Sequence, residues 1–135
     1  YEDINQFVKK KEIDVIYVRS NEHSLKGDCD LGIAKTYPNI QEWLFLLANA
    51  EYVLTNSFHG MVFSVIFGKR FGVYATGDDS SMNVRINSFV SDINLMDRVV
   101  NTDISILDKS INYKEVYNKI NLQRERIFNF FKTLF

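Results

Sequence analysis

Two hydropathy rhythms alternate along this chain. Residues 13–18 (IDVIYV), 52–55 (YVLT) and 71–75 (FGVYA) are short runs rich in β-branched and aromatic side chains, which predicts buried strands. Residues 31–34 and the pair Val99-Val100 predict two more short strands. Between them, residues 2–11, 39–50, 61–67 and 85–93 carry helical spacing, as does a long segment from about residue 113. Pro38 and Asn39 mark one helix start, with Asn39 as N-cap and Glu42 as its reciprocal partner. Gly68 stands where a helix C′ residue belongs. No two-residue hairpin signal interrupts the alternation. The pattern predicts a single α/β domain over residues 1–135, with a parallel sheet of about four or five strands and helices on both faces.

Composition narrows the classes of function. A length of 135 residues and 46% hydrophobic content suit one globular domain with a real core. Sixteen basic residues against 17 acidic ones give no general attraction for nucleic acid. The lone Cys29 excludes an internal disulfide and a cysteine cluster for zinc, and a reducing, cytoplasmic setting is the default expectation. No apolar run reaches the roughly 18–20 residues that span a bilayer. The chain starts directly in a helical pattern at Tyr1 (no methionine), as expected of a domain excised from a longer protein.

Chemistry concentrates in the turn Thr55-Asn56-Ser57-Phe58-His59-Gly60, between a strand and the apolar helix that starts at Met61. In a parallel α/β fold such a turn lies at the carboxyl edge of the sheet, where helix N-termini present N–H groups to ligands. His59 can move a proton or contact an anion there, and it can equally serve as a plain helix cap. The helix behind it is apolar all round and predicted to be buried, so its partial positive end aims at a fixed place. Arg85, after the next strand and its polar loop 76–83, is a bidentate donor for carboxylate or phosphate at the same edge, or a solvated helix-face arginine. Lys69 and Arg70 precede a strand, at the opposite end of the fold, and read as structural; Arg98 fits either role. Asp78 and Asp79 read as a solvated turn rather than a metal site. His23 and Cys29 have no partners nearby in sequence, and nothing calls for a cofactor. Trp43 and the phenylalanines, recurring at helical spacing, read as core.

Taken in sequence, these residues resemble a known family. The segment Gln41-Glu42-Trp43-Leu44, the run from Asn49 through Thr55-Asn56-Ser57-Phe58-His59-Gly60, and Val62-Phe63-Ser64-Val65-Ile66-Phe67-Gly68-Lys69 resemble the C-terminal half of polysaccharide pyruvyl transferases. That half shows a Trp-bearing helix, a strand ending in Thr-Asp/Asn-Ser-Phe-His-Gly, and a Val-Phe-Ser helix. Arg85 and Asn94-Leu95-Met96-Asp97-Arg98 are similar to its arginine helix and its Gly-Leu-x-x-Arg segment, and the terminal helix also fits. The resemblance spans about residues 37–135. Departures are Asn56 for the commoner acid, Met61 for a small or polar residue, Arg70 for proline and Ile127 for serine.

The resemblance implies a Rossmann-like half of a two-domain GT-B-type enzyme, with the active site in the cleft between the domains. The implied reaction moves an enolpyruvyl group from phosphoenolpyruvate to a glycan or lipid-linked sugar, closing a ketal and releasing phosphate. It implies His59 as proton carrier and Arg85 as anion clamp, with Asn56, Ser57 and Gly60 at the substrate. The other wall of the cleft would come from an N-terminal domain of the same protein, so the fragment alone is expected to be inactive. Two other readings share the same residues: a glycosyltransferase domain that binds a nucleotide-sugar, and a non-catalytic domain that keeps the fold.

Overall fold

The computed structural model describes residues 2–19, 32–36, 38–74, 81–101 and 103–134. Helices and strands alternate along it: α1 (Glu2–Lys11), β1 (Ile16–Arg19), β2 (Ile33–Thr36), α2 (Ile40–Asn49), β3 (Tyr52–Thr55), α3 (Phe58–Ile66), β4 (Arg70–Tyr74), α4 (Ser81–Asp92), β5 (Val99–Val100) and α5 (Tyr113–Lys132). Two 3-10 turns, Met96–Arg98 and Ser105–Asp108, flank β5. They are too short to leave a periodic signature. The predicted cap of α2 forms in full: Asn39 Oδ1 accepts the Glu42 N–H at 2.8 Å, and Glu42 Oε2 accepts the Asn39 N–H at 3.1 Å. Gly68 follows α3 at φ 63°, the left-handed conformation that glycine adopts without strain.

Every strand pair is parallel. The expectation of one sheet of about four or five strands is corrected, however. Among the described residues β1 pairs with β2, and β3, β4 and β5 form a separate sheet in that order. β1 is also less buried than its sequence suggested, with Ile16 47% and Val18 44% exposed. A ribbon of two strands offers too little surface to be sealed on both faces.

The three-stranded sheet divides its side chains between two cores. Val53, Phe71 and Val73 pack with Met61 and Val65 of α3, Ile86 and Val90 of α4, and Val116 at the start of α5. Tyr52, Leu54, Tyr74 and Val100 point to the other face, against Phe7 of α1 and the Ile104, Ile106 and Leu107 segment. The period of two along each strand produces this sorting, and helices cover both faces as predicted. Gly72 belongs to the second face, where a Cβ would lie 2.8 Å from Val100 Cγ2 and 3.1 Å from Leu54 Cδ1.

Arg98 is structural. It is 2% exposed, and its guanidinium donates from Nη1 to the Ile106 carbonyl at 2.7 Å and from Nη2 to those of Lys109 and Ser110 at 3.1 and 3.2 Å. Burial pushes its pKa down, while Asp97, 3.7 Å from Nε, works the other way. Asn94, two residues past the end of α4, takes φ 59°. Asparagine tolerates that conformation, which accounts for its standing where the resembled segment has glycine.

Other expectations need correction. α4 begins at Ser81, so residues 81–83 are helix rather than loop. Trp43 packs edge-on against Phe63 at 5.4 Å, but Phe45, Phe128, Phe130 and Phe131 are exposed, so helical spacing alone did not put them in the core. Nor is α3 buried all round: Gly60, Met61, Ser64 and Val65 are interior, whereas Ile66 faces out.

Candidate functional site

Parallel pairing brings two loops together. Thr55 is in register with Val73, so the chain leaving β3 and the chain leaving β4 emerge side by side at the carboxyl edge of the sheet. The first leads straight into α3 and the second, through residues 75–80, into α4. Those six residues lie outside the described part, and so do Asp78, Asp79, His23 and Cys29. Among the described residues there is no group of three His, Cys, Asp or Glu side chains placed to hold a metal ion.

The helix starts earlier than its apolar run. Ser57 is the N-cap, and Phe58, His59 and Gly60 form the first turn of α3 instead of a preceding loop. Three contacts hold this corner. Thr55 Oγ1 accepts the Ser57 N–H at 3.1 Å, Ser57 Oγ accepts the Gly60 N–H at 3.4 Å, and the Ser57 carbonyl accepts the Met61 N–H at 3.0 Å. One turn on, the buried Ser64 hydroxyl donates to the Gly60 carbonyl at 2.7 Å. Gly60 is itself buried, and a Cβ there would come within 2.5 Å of Thr55 Oγ1. The motif's glycine is therefore needed for close approach of helix and strand. The N–H groups of Phe58 and His59 remain as first-turn donors without an intrahelical acceptor.

Asn56 and His59 are exposed beside this corner, and Ser57 is half-buried. The His59 ring meets Phe58 edge-on at 6.0 Å, and the exposed Arg85 guanidinium lies over the same Phe58 ring at 5.5 Å. Phe58 in turn packs edge-on against Phe89 of α4 at 6.0 Å. A shallow hollow of about 340 Å³ opens between Phe58, Val84, Arg85, Ser88, Phe89 and Asp92. Arg85 lines this hollow and His59 does not. The structure thus brings the histidine and the arginine to one aromatic ring, though not into one enclosed pocket. Phe58 and Thr55, which the sequence places in the turn without a site role, organise the corner. The signal for Thr55 was its place at the last strand position, facing a glycine in the next helix.

A family model described as polysaccharide pyruvyl transferase matches residues 1–79, more than half of the chain. The chain belongs to the polysaccharide pyruvyl transferase family. The match contains the whole corner from Thr55 to Gly60 and also takes in α1, β1 and β2, which the resemblance did not include. It ends before Arg85, so the arginine's inclusion in the site rests on geometry. No curated protein and no solved structure matches the chain. Lys69 and Arg70 behave as structural residues. Lys69 Nζ donates to the Ala48 carbonyl, and Arg70 contacts the Tyr52 hydroxyl at 3.4 Å and lies over its ring at 5.8 Å.

Proposed function

We propose that the chain is the C-terminal domain of a GT-B-type pyruvyl transferase that moves an enolpyruvyl group from phosphoenolpyruvate to a sugar of a cell-surface polysaccharide or its lipid-linked precursor. The observation that carries this reading is the exposed His59 and Arg85 on one Phe58 ring, at a corner within a family match. His59 delivers a proton to the methylene carbon of the enol, making C2 electrophilic. A sugar hydroxyl attacks C2 and its proton returns to His59, the C2–O bond to phosphate breaks, and a second hydroxyl closes the ketal as its proton passes to the departing phosphate. Arg85 and the first-turn N–H groups hold the carboxylate or the departing phosphate, where fixed donors act at no reorganisation cost. Asn56 and Ser57 border the donor, and Gly60 lets the turn sit close to the strand. The acceptor enters from the opposite wall, supplied by an N-terminal domain of the same protein, in the cytoplasm.

The test uses the full-length protein. Phosphate release from phosphoenolpyruvate is expected to require an acceptor glycan, and His59→Ala is expected to lower kcat by about 100-fold with the fold intact. An unchanged rate in that variant removes His59 from the chemistry. Arg85→Ala is expected to weaken donor binding, and an unaltered donor Kd refutes the clamp. The isolated 135 residues are expected to release no phosphate, since one wall of a cleft lacks the other. Tight binding of a nucleotide-sugar without any for phosphoenolpyruvate would turn the assignment to a glycosyltransferase.

A further inference from the structure

The C-terminal helix runs off the domain. Val116 is buried in the core and Ile120 packs beside it, but from Arg124 onward every described residue of α5 is exposed. That exposed part is the most apolar surface of the helix. Ile127, Phe128, Phe130, Phe131 and Leu134 are each between 53% and 61% exposed. At 3.6 residues per turn these five side chains spread over an arc of about 160°. Arg126 borders one side of the arc and Lys132 the other, and Arg124 sits one turn before Phe128. From Lys119 to Lys132 there are four basic residues (Lys119, Arg124, Arg126 and Lys132) and one acidic residue, Glu125. Among the described residues no ion pair engages Arg124, Arg126 or Lys132.

We propose that this end of α5 lies flat on an anionic lipid surface, holding the protein at the membrane. Aromatic and aliphatic side chains enter the acyl boundary, and the flanking long basic side chains reach up to the acidic headgroups. The charge pattern speaks against a second copy of the chain. Ile120, Gln123, Ile127, Phe130 and Leu134 follow a three-four spacing, so a parallel paired helix would set Lys119 against the like-charged Arg124 of the second copy, and Ile120 is already packed on the domain's own core. A protein groove would use a narrow stripe, whereas Phe128 widens the apolar face beyond one. The helix is not long and apolar enough to cross a membrane, so it rests on the surface.

The experiment is vesicle co-flotation of the full-length protein, and it needs no catalysis, so it stands or falls apart from the proposed reaction. Vesicles with about 30 mol % phosphatidylglycerol are expected to carry the protein, and pure phosphatidylcholine vesicles roughly tenfold less. Phe130→Glu with Phe131→Glu is expected to lower partitioning at least about tenfold with an unchanged melting temperature. Arg124→Gln, Arg126→Gln and Lys132→Gln together are expected to abolish the lipid preference. Failure of the unaltered protein to float, or equal flotation of the double glutamate variant, overturns the proposal. So does a lower melting temperature of that variant without a change in flotation, because the face is then packed inside the protein.

Discussion

Replacing Gly60 with alanine probes the contact that shapes the corner. An ideal Cβ at Gly60 would sit 2.5 Å from Thr55 Oγ1 and 3.2 Å from Thr55 Cβ. Thr55 cannot swing aside freely: its χ1 is stiff, and its hydroxyl already accepts the Ser57 N–H at 3.1 Å. Breaking that bond costs about 1 kcal/mol, and overpacking in general costs about 1–3 kcal/mol. The better helix propensity of alanine offsets about 1 kcal/mol, so Gly60→Ala is expected to destabilise by about 1–3 kcal/mol. Urea unfolding followed by the fluorescence of Trp43 measures this, since that single tryptophan packs on Phe63 of α3. In a Thr55→Ala background the 2.5 Å contact is gone, and the cost of Gly60→Ala is expected to fall below about 0.5 kcal/mol. Equal costs in the two backgrounds, within the roughly 0.5 kcal/mol of ordinary additivity, would refute close approach as the reason for the glycine.

Arg98→Met leaves the carbonyls of Ile106, Lys109 and Ser110 without their donor, which is expected to cost about 3 kcal/mol in urea unfolding; a loss under about 1 kcal/mol contradicts the clamp. Arg98→Lys is expected to recover only part, because one ammonium cannot reach all three acceptors. The Tyr113 hydroxyl donates to the Lys69 carbonyl, and burial drives its pKa well up, with Tyr117 adding to the shift. The folded chain keeps that proton where the unfolded chain loses it, so the associated stability is fully present below about pH 10 and declines above it. Tyr113→Phe is expected to flatten the fall in melting temperature between about pH 10 and 11, and an unchanged slope refutes the linkage.

What could be read from sequence follows how local each signal is. The α2 cap needs only Asn39 and Glu42, and it forms as read. β3, β5 and the start of α5 also lie where their patterns put them, and Gly68 takes its predicted conformation. The start of α3 was missed because Ser57 caps with a hydroxyl and no acidic partner, so the apolar run looked like the beginning. Strand pairing depends on partners far apart in sequence, and nothing within IDVIYV says which neighbour it takes or whether helices cover it. The same holds for Phe128, Phe130 and Phe131: helical spacing predicts a face but not what lies beneath it. Arg98 was undecidable because its three acceptors are backbone carbonyls, which have no residue signature.

The family's Ser-Phe-His-Gly run divides its labour within four residues. Ser57 and Gly60 are consumed by the fold: one hydroxyl caps the helix, and one absent side chain admits Thr55. Phe58 is half-buried and joins α3 to α4 through Phe89, with Arg85 resting on its ring. Of the four, only His59 is exposed, so a change of its side chain costs the protein no core. A stability scan and an activity scan of this run should therefore rank the residues in opposite order. Under the proposed reaction, Ser57 and Gly60 are expected to matter chiefly to folding and to activity through it, and His59 to turnover with the fold unchanged. That separation distinguishes a site built on a rigid corner from a turn whose polar residues are all caps.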